Sequence, residues 1–303
     1  MYDRALQALV KLALEPEWEA IFEPNSYGFR PGRSCHDAIG AIYGAIKQKA
    51  KYVLDADISK CFDCINHEAL LAKIKTFPRL KRQIKAWLKS GVMDSGQLFP
   101  TNEGTPQGGV ISPLLANIAL HGMENRIKQA AETLPGTKRD NRWATSLIRY
   151  ADDFVIIHKN KDFVIKCQEI IADWLKDMGL ELKPEKTQLV HTSEGFDFLG
   201  FNIRQYKVGK HRTGYLNGNP LGFKTIIKPS KDKITRHYRN IADAIDTHKT
   251  APQKAIIGKL NPIIKGWANY YSAVCSKEIY SALDSLSIKS SLHGLNEDTQ
   301  INL

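Results

Sequence analysis

Between Thr145 and Ile157 the chain reads TSLIRYADDFVII, a run of strand-forming residues interrupted by two adjacent carboxylates, Asp152 and Asp153. Strand, tight turn, strand is the pattern of a β-hairpin that carries acid groups at its tip. Leu147, Val155, Ile156 and Ile157 are strand formers that need burial, so the hairpin belongs to a core. Adjacent carboxylates repel each other and lose hydration when buried, so a fold that places them there needs a compensating cation, either a metal or a basic side chain. Taken alone, these residues leave open a solvent-exposed Asp-Asp turn.

The same anomaly recurs upstream. Lys51 to Ile58, KYVLDADI, reads as a strand with Asp57 near its end, in phase with Asp55. If the two acid-bearing strands are neighbours, Asp57 and Asp152 can hold divalent cations between them, the arrangement used for in-line phosphoryl transfer. Phe62 follows five residues after Asp57 and reads either as a wall of that pocket or as a core phenylalanine. The Gly-rich stretch GTPQGG, residues 104–109, lacks the spacing of a nucleotide-binding P-loop, but its glycines permit close backbone approach and Gln107 offers a hydrogen bond into a cleft. In PNSYGFRPGRS, Arg30 and Arg33 are held by Pro31 and Gly32 in one short loop suited to bidentate phosphate contact, or to a plain basic surface.

A formal charge of +11 over 303 residues raises the prospect of a polyanionic partner. Cys35, Cys61, Cys64, Cys167 and Cys275 form no regular framework, which reads as reduced, cytoplasmic thiols. Cys61 and Cys64 make a C-x-x-C without a second pair at zinc-site spacing. No apolar stretch is long enough to span a membrane, and no export signal is evident.

Helices are expected over residues 1–22, interrupted at Pro16, then over 35–50 with Ala38, Ile39, Ile42 and Ile46 inward, and from Asn66 to Lys89 with a strongly basic outer face. A further helix begins at Ser112 and Pro113 and runs to about Glu132, followed by a charged loop. After the acidic hairpin come a helix over Lys161–Met178 ended by Gly179, a short strand, and a second hairpin in GFDFLGFNI. Residues 206–228 read as a linker or irregular hairpin, 229–290 as a small helical bundle, and 291–303 as a loose tail. The fold class is α+β, one sheet backed by helices, followed by an α-helical part. Lys228, Lys231 and Arg236 cluster at the entry to the bundle as candidate nucleic-acid contacts, with Trp267, Tyr270 and Tyr271 as stacking or core aromatics.

By its ordered motifs the chain resembles the group II intron-encoded reverse transcriptases, or maturases. The carrying stretches are SYGFRPGRS (26–34), LDADISKCFDCINHEAL (54–70), GTPQGGVISPLLANIAL (104–120), LIRYADDFVI (147–156), GLELKPEKTQ (179–188), FDFLGFNI (196–203) and IIKGWANYYS (263–272). The resemblance implies a reverse-transcriptase palm with partial fingers over residues 1–205 and an α-helical thumb/maturase domain over 229–290. It implies Asp57, Asp152 and Asp153 as catalytic Mg²⁺ ligands. Phe62 would be the gate against a 2′-hydroxyl, Gln107 and Arg30 nucleotide contacts, Lys186 a basic group near the primer end, and Arg33 a further nucleic-acid contact. The implied partners are intron RNA, an RNA template, a DNA primer and dNTPs, with no membrane, and the oligomeric state is left open. The family has a longer N-terminal region, a basic DNA-binding segment and, in many members, an endonuclease domain. Against that pattern the expectation is a fragment or decayed copy with the palm chemistry still spelled out. A catalytically inactive RNA-binding maturase and another palm-type polymerase are the alternatives.

Overall fold

The computed structural model describes residues 2–90, 92–94, 97–99, 103–105, 109–248 and 251–293. Contacts divide the chain into two compact units, residues 1–191 and 192–303.

In the first unit, α1 (Tyr2–Glu19) runs unbroken through Pro16, where two helical segments were expected. Next comes α2 (Cys35–Ile46), begun by a capping box in which Ser34 and Asp37 bond each other's backbone N–H. Its inward residues are the expected Ala38, Ile39, Ile42 and Ile46. Strand β1 (Tyr52–Asp57) leads into a one-turn helix, α3 (Cys61–Cys64). The expected single helical stretch from Asn66 to Lys89 is split into α4 (His67–Ile74), capped by the Asn66 side chain, and α5 (Pro78–Leu88). Lys75, in the left-handed region at φ +45°, makes the break. A small hairpin of β2 (Val92–Asp94) and β3 (Gln97–Phe99) follows.

The helix expected from Ser112 to about Glu132 is likewise two, α6 (Ser112–Leu120) and α7 (Met123–Ala131), because the chain turns at Gly122, φ +108°. Lys73 Nζ donates to the carbonyls of Ala119 and His121 there, which satisfies the end of α6 from a distant part of the chain. The expected charged loop contains α8 (Lys138–Ala144), capped by Thr137. The acidic hairpin is β4 (Ser146–Tyr150) and β5 (Asp153–His158), followed by α9 (Lys161–Lys176) with Asn160 as its cap, and β6 (Gln188–His191).

These strands form an antiparallel sheet in the order β4-β5-β1-β6. Phe154 to Ile157 are fully buried on both faces of β5. Leu54, Ala56, Leu147, Phe154 and Ile156 share one core with α1, α4–α7 and α9. By strand alternation and cross-strand register, Val53, Asp55, Asp57, Asp153, Val155 and Ile157 occupy the opposite face. Across β4, β5 and β1 the first face is apolar except for Arg149 and His158, while the other changes from apolar to acidic at its tip.

In the second unit β7 (Phe196–Phe198), β8 (Phe201–Lys207) and β11 (Phe223–Pro229) make a three-stranded sheet, ordered β11-β8-β7. Between β8 and β11 lies the two-residue-strand hairpin of β9 (Tyr215–Leu216) and β10 (Asn219–Pro220). Helices α10 (Lys231–Thr247), α11 (Gln253–Tyr271) and α12 (Lys277–His293) close around Ile234, Tyr238, Ile279 and Leu283. The architecture is thus a mixed α+β part followed by an α-helical region. The stretch over 206–228, expected as a linker or irregular hairpin, is a hairpin between β8 and β11 and groups with the helices. Among the described residues no helix is long and apolar enough to cross a membrane.

Candidate active site

The site is set by one register. Asp57 ends β1 and Asp153 begins β5, and the two are directly opposed in the antiparallel ladder. Tyr150 is opposite Asp153 in turn, so only Ala151 and Asp152 remain to close the β4–β5 hairpin. A two-residue loop of this kind requires positive φ, and Ala151 supplies it at +57°, a conformation that costs an L-residue about 1–2 kcal/mol. The Asp152 carbonyl accepts from Ile58 N at 3.3 Å, tying the turn to the end of β1. Two carboxylates on the central strands and a third on the turn are thereby gathered at one end of the sheet.

Their electrostatics follow from this crowding. Burial, with repulsion from Asp57 and Asp152, pushes Asp153 up to about 6. Burial and the Asp57 charge also raise Asp152. Lys186 Nζ donates to Asp57 Oδ2, and that hydrogen bond holds the ammonium above its usual range. The other oxygen, Asp57 Oδ1, is buried and has no hydrogen-bond partner among the described residues. An unpartnered buried carboxylate oxygen beside two destabilised acids is what a hard divalent cation would satisfy. Among the described residues, no group of three or more His, Cys, Asp or Glu side chains is arranged to hold a metal ion.

What holds the turn was not legible in the sequence reading. Arg149 is 1% exposed, and its guanidinium donates to Asn117 Oδ1 (3.0 Å), Ser26 Oγ (2.7 Å) and the Ala151 carbonyl (2.9 Å). Asn117 in turn donates to the Gly28 carbonyl at 2.8 Å. Gly28 lies so close to the turn that a Cβ on it would fall 2.3 Å from Ala151 N. The 26–34 loop, α6 and the acidic turn are thus locked through neutral partners around one buried charge. Burial lowers the Arg149 guanidinium to about 10, still charged at neutral pH. An arginine inside SLIRY is the same kind of anomaly as an aspartate inside VLDADI, and that was the available signal.

The remaining expected residues fall in different places. Phe62, on α3, is partly buried and meets the Phe29 ring edge-to-face at 5.9 Å. Its carbonyl accepts from Thr105 N, so it anchors the start of the Gly-rich loop. Gln107 lies outside the described residues. Arg30 is buried, with its guanidinium on the Glu19 carboxylate and on the carbonyls of Glu23 and Ser26, so its donors are engaged inside the fold. Arg33 is exposed, 5.5 Å over the Tyr27 ring. Lys228 stands on β11, and Lys231 and Arg236 on α10, all in the second unit. In the C-x-x-C, burial pushes the Cys61 thiol up to about 12.

Comparison with known proteins places these features in context. Residues 1–203 match the family model described as reverse transcriptase (RNA-dependent DNA polymerase), and residues 234–291 match the group II intron maturase-specific domain. The group II intron-encoded protein LtrA of Lactococcus lactis subsp. cremoris is 31% identical over 77% of this chain and 48% of its own length. Protein YkfC of Escherichia coli is 32% identical over 66% of this chain and 60% of its own length. The chain thus spans about half the length of the first of these relatives. Among solved structures, apo telomerase from Candida tropicalis shares the fold at a TM-score of 0.51 with 19% identity, over 65% of this chain and 43% of its own.

Proposed function

The chain belongs to the reverse transcriptase family, in the branch encoded by group II introns, and from that premise we propose that it extends a primer on an RNA template, using dNTPs and Mg²⁺ held at Asp57, Asp152 and Asp153. The observation that carries the proposal is the opposition of Asp57 and Asp153 at the end of the two central strands, with Asp57 Oδ1 buried and without a hydrogen-bond partner among the described residues. Divalent cations bound there supply neutralisation of the triphosphate and activation of the primer 3′-hydroxyl for in-line attack.

The protein's own groups have the remaining tasks. The Asp57, Asp152 and Asp153 carboxylates would bind and orient the cations, and the Arg149–Asn117 lock keeps the turn that carries Asp152 from relaxing. Phe62, beside Phe29, is suited to stand under the incoming sugar and discriminate against a 2′-hydroxyl. Lys186 pairs with Asp57, and its largely exposed ammonium can move to a phosphate. In this reading the α-helical region and the basic surfaces bind intron RNA, which the match of residues 234–291 supports.

The test is primer extension on an annealed RNA template with dNTPs and Mg²⁺, comparing the chain with Asp57→Asn. Loss of extension in the variant, with RNA affinity unchanged within about twofold, is the expected result. Extension by the variant at the parent's rate refutes the site. Absence of extension by both, with RNA bound by both, refutes the polymerase and leaves an RNA-binding maturase.

A further inference from the structure

Phe62 stands on α3, a helix of one turn in which Asp63 N and Cys64 N donate to the Lys60 carbonyl. A helix so short does not hold its place by itself. Residues 178–181 fix the chain before and after it, since Ser59 N donates to the Glu181 carbonyl at 2.9 Å and Asn66 N to the Met178 carbonyl at 2.8 Å. Gly104 and Thr105 brace the turn itself. Thr105 donates to the Phe62 carbonyl from its N–H at 2.5 Å and from its hydroxyl at 3.3 Å, and Gly104 N donates to the Ile65 carbonyl at 2.8 Å. At φ +81°, Gly104 lies so near α3 that a Cβ on it would fall 2.5 Å from the carbonyl of Asp63. The brace is held in its turn by one side chain. His67 Nε2 is 2.6 Å from the Gly104 carbonyl oxygen, so the two peptide groups of Gly104 are both pinned by the stretch from Ile65 to His67.

His67 is 4% exposed and opens α4, directly after the Asn66 cap. A carbonyl only accepts, so His67 Nε2 carries a proton and donates it. The other ring nitrogen, Nδ1, is buried and has no hydrogen-bond partner among the described residues. A leucine would fill this place without an unsatisfied nitrogen, so the bond from Nε2 is what the imidazole contributes. We infer that His67 is a positioning residue for sugar selection, holding the Phe62 wall in place through Gly104 and Thr105. The inference rests on the polymerase reading above, with Phe62 as the gate against a 2′-hydroxyl. Being buried, His67 does not itself reach a nucleotide. A steric gate tells a hydrogen from a hydroxyl by the room for one oxygen atom, so it discriminates only as far as its wall refuses to yield. Phe29, the ring that Phe62 meets, is itself 50% exposed and lends that wall little backing. The stiffness has to come from the backbone of α3, and the brace from His67 to Phe62 supplies it.

The experiment measures kcat and KM for one dNTP and the matching rNTP in single-nucleotide extension on an RNA template. It compares the full chain with His67→Leu, His67→Gln, Phe62→Ala and the double variant Phe62→Ala with His67→Leu. The rNTP-to-dNTP ratio of kcat/KM belongs to the folded molecules, so a smaller folded fraction does not move it. His67→Leu is expected to raise the ratio about threefold or more, through a lower KM for the rNTP. His67→Gln, whose amide can reach the Gly104 carbonyl, should bring the ratio back towards the parent's. In the Phe62→Ala background His67→Leu should change the ratio by less than about twofold, because the wall it holds is gone. A ratio that stays unchanged in His67→Leu, or rises as much without Phe62 as with it, overturns the inference and leaves His67 a structural residue. Should His67→Leu not fold, His67→Asn, whose amide stops short of Gly104, is read against the same outcomes. A parent that does not extend with dNTPs refutes the polymerase reading and takes this inference with it. A parent that extends, with a ratio that answers to Phe62→Ala but not to His67→Leu, sinks the inference alone.

Discussion

Arg149 shows how much of this site rests on one side chain that touches none of the reacting groups. Its guanidinium is buried among neutral acceptors, so its removal leaves Asn117 Oδ1 and Ser26 Oγ short of partners and frees a strained turn. Arg149→Met is expected to destabilise the first unit by about 2–4 kcal/mol in urea unfolding. Primer extension should fall further than the folded fraction does, because Ala151 loses the bond that fixes the turn. A loss of extension that only tracks unfolding would reduce Arg149 to a structural residue. Phe62 makes a separate prediction. Phe62→Ala removes one wall of an apolar contact, which is worth about tenfold or more in discrimination, so ribonucleotide incorporation relative to dNTP should rise by that factor. An unchanged ratio removes Phe62 from sugar selection. The acids were visible in the sequence because a carboxylate inside an apolar run is costly wherever it sits. Arg30 was visible too, but its partner Glu19 lies on a different element, and no spacing rule reveals that an arginine is consumed inside the fold.

The elements that were legible are those whose signals are local. Ser34, Asn66 and Asn160 mark helix starts within three residues of the N–H groups they cap, and the hairpin announces itself by two acids between strand formers. The α6–α7 break was hidden because LANIAL continues the apolar pattern into the turn at Gly122, and the group that satisfies the end of α6 comes from Lys73. Contact between the 26–34 loop and the acidic turn was hidden for the same reason. That contact predicts opposite outcomes for one chemical change at two glycines. Gly28→Ala forces a methyl into the Ala151 backbone and should cost about 1–3 kcal/mol, with extension impaired. Gly40→Ala, inside α2 and with nothing within 4 Å of the added methyl, should gain about 0.5–1 kcal/mol. Thermal midpoints of the two variants test the pair. A neutral Gly28→Ala would mean that loop and turn are not locked together.

At the scale of the whole molecule the division falls between residues 191 and 192, so β7, β8 and β11 group with the helices and not with the first sheet. Sequence periodicity places strands but not their company, which is decided by contacts such as Tyr271 Oη on the Gly200 carbonyl at 3.1 Å and Cys275 N on the Ile227 carbonyl at 2.9 Å. The two units should respond differently to acid. In the second, burial lowers His237 to about 4, where it stacks on Trp267 at 4.5 Å. The unfolded chain takes up that proton near pH 6.5 while the folded unit refuses it until about pH 4, so stability is lost as pH falls through this window. In the first unit His121 and His158 are likewise lowered to about 4, but Asp153 is raised to about 6 and Asp152 is also raised. Those acids take up their protons at higher pH in the folded state, which adds stability as pH falls and offsets part of the histidines' effect. Hydrogen exchange at pH 7 and pH 5 should therefore show protection lost in α10–α12. Replacing His237 by Gln should flatten the pH response of the second unit alone, because the group that takes up the extra proton on unfolding is gone. A response that survives this replacement would mean that another group in the bundle carries the linkage.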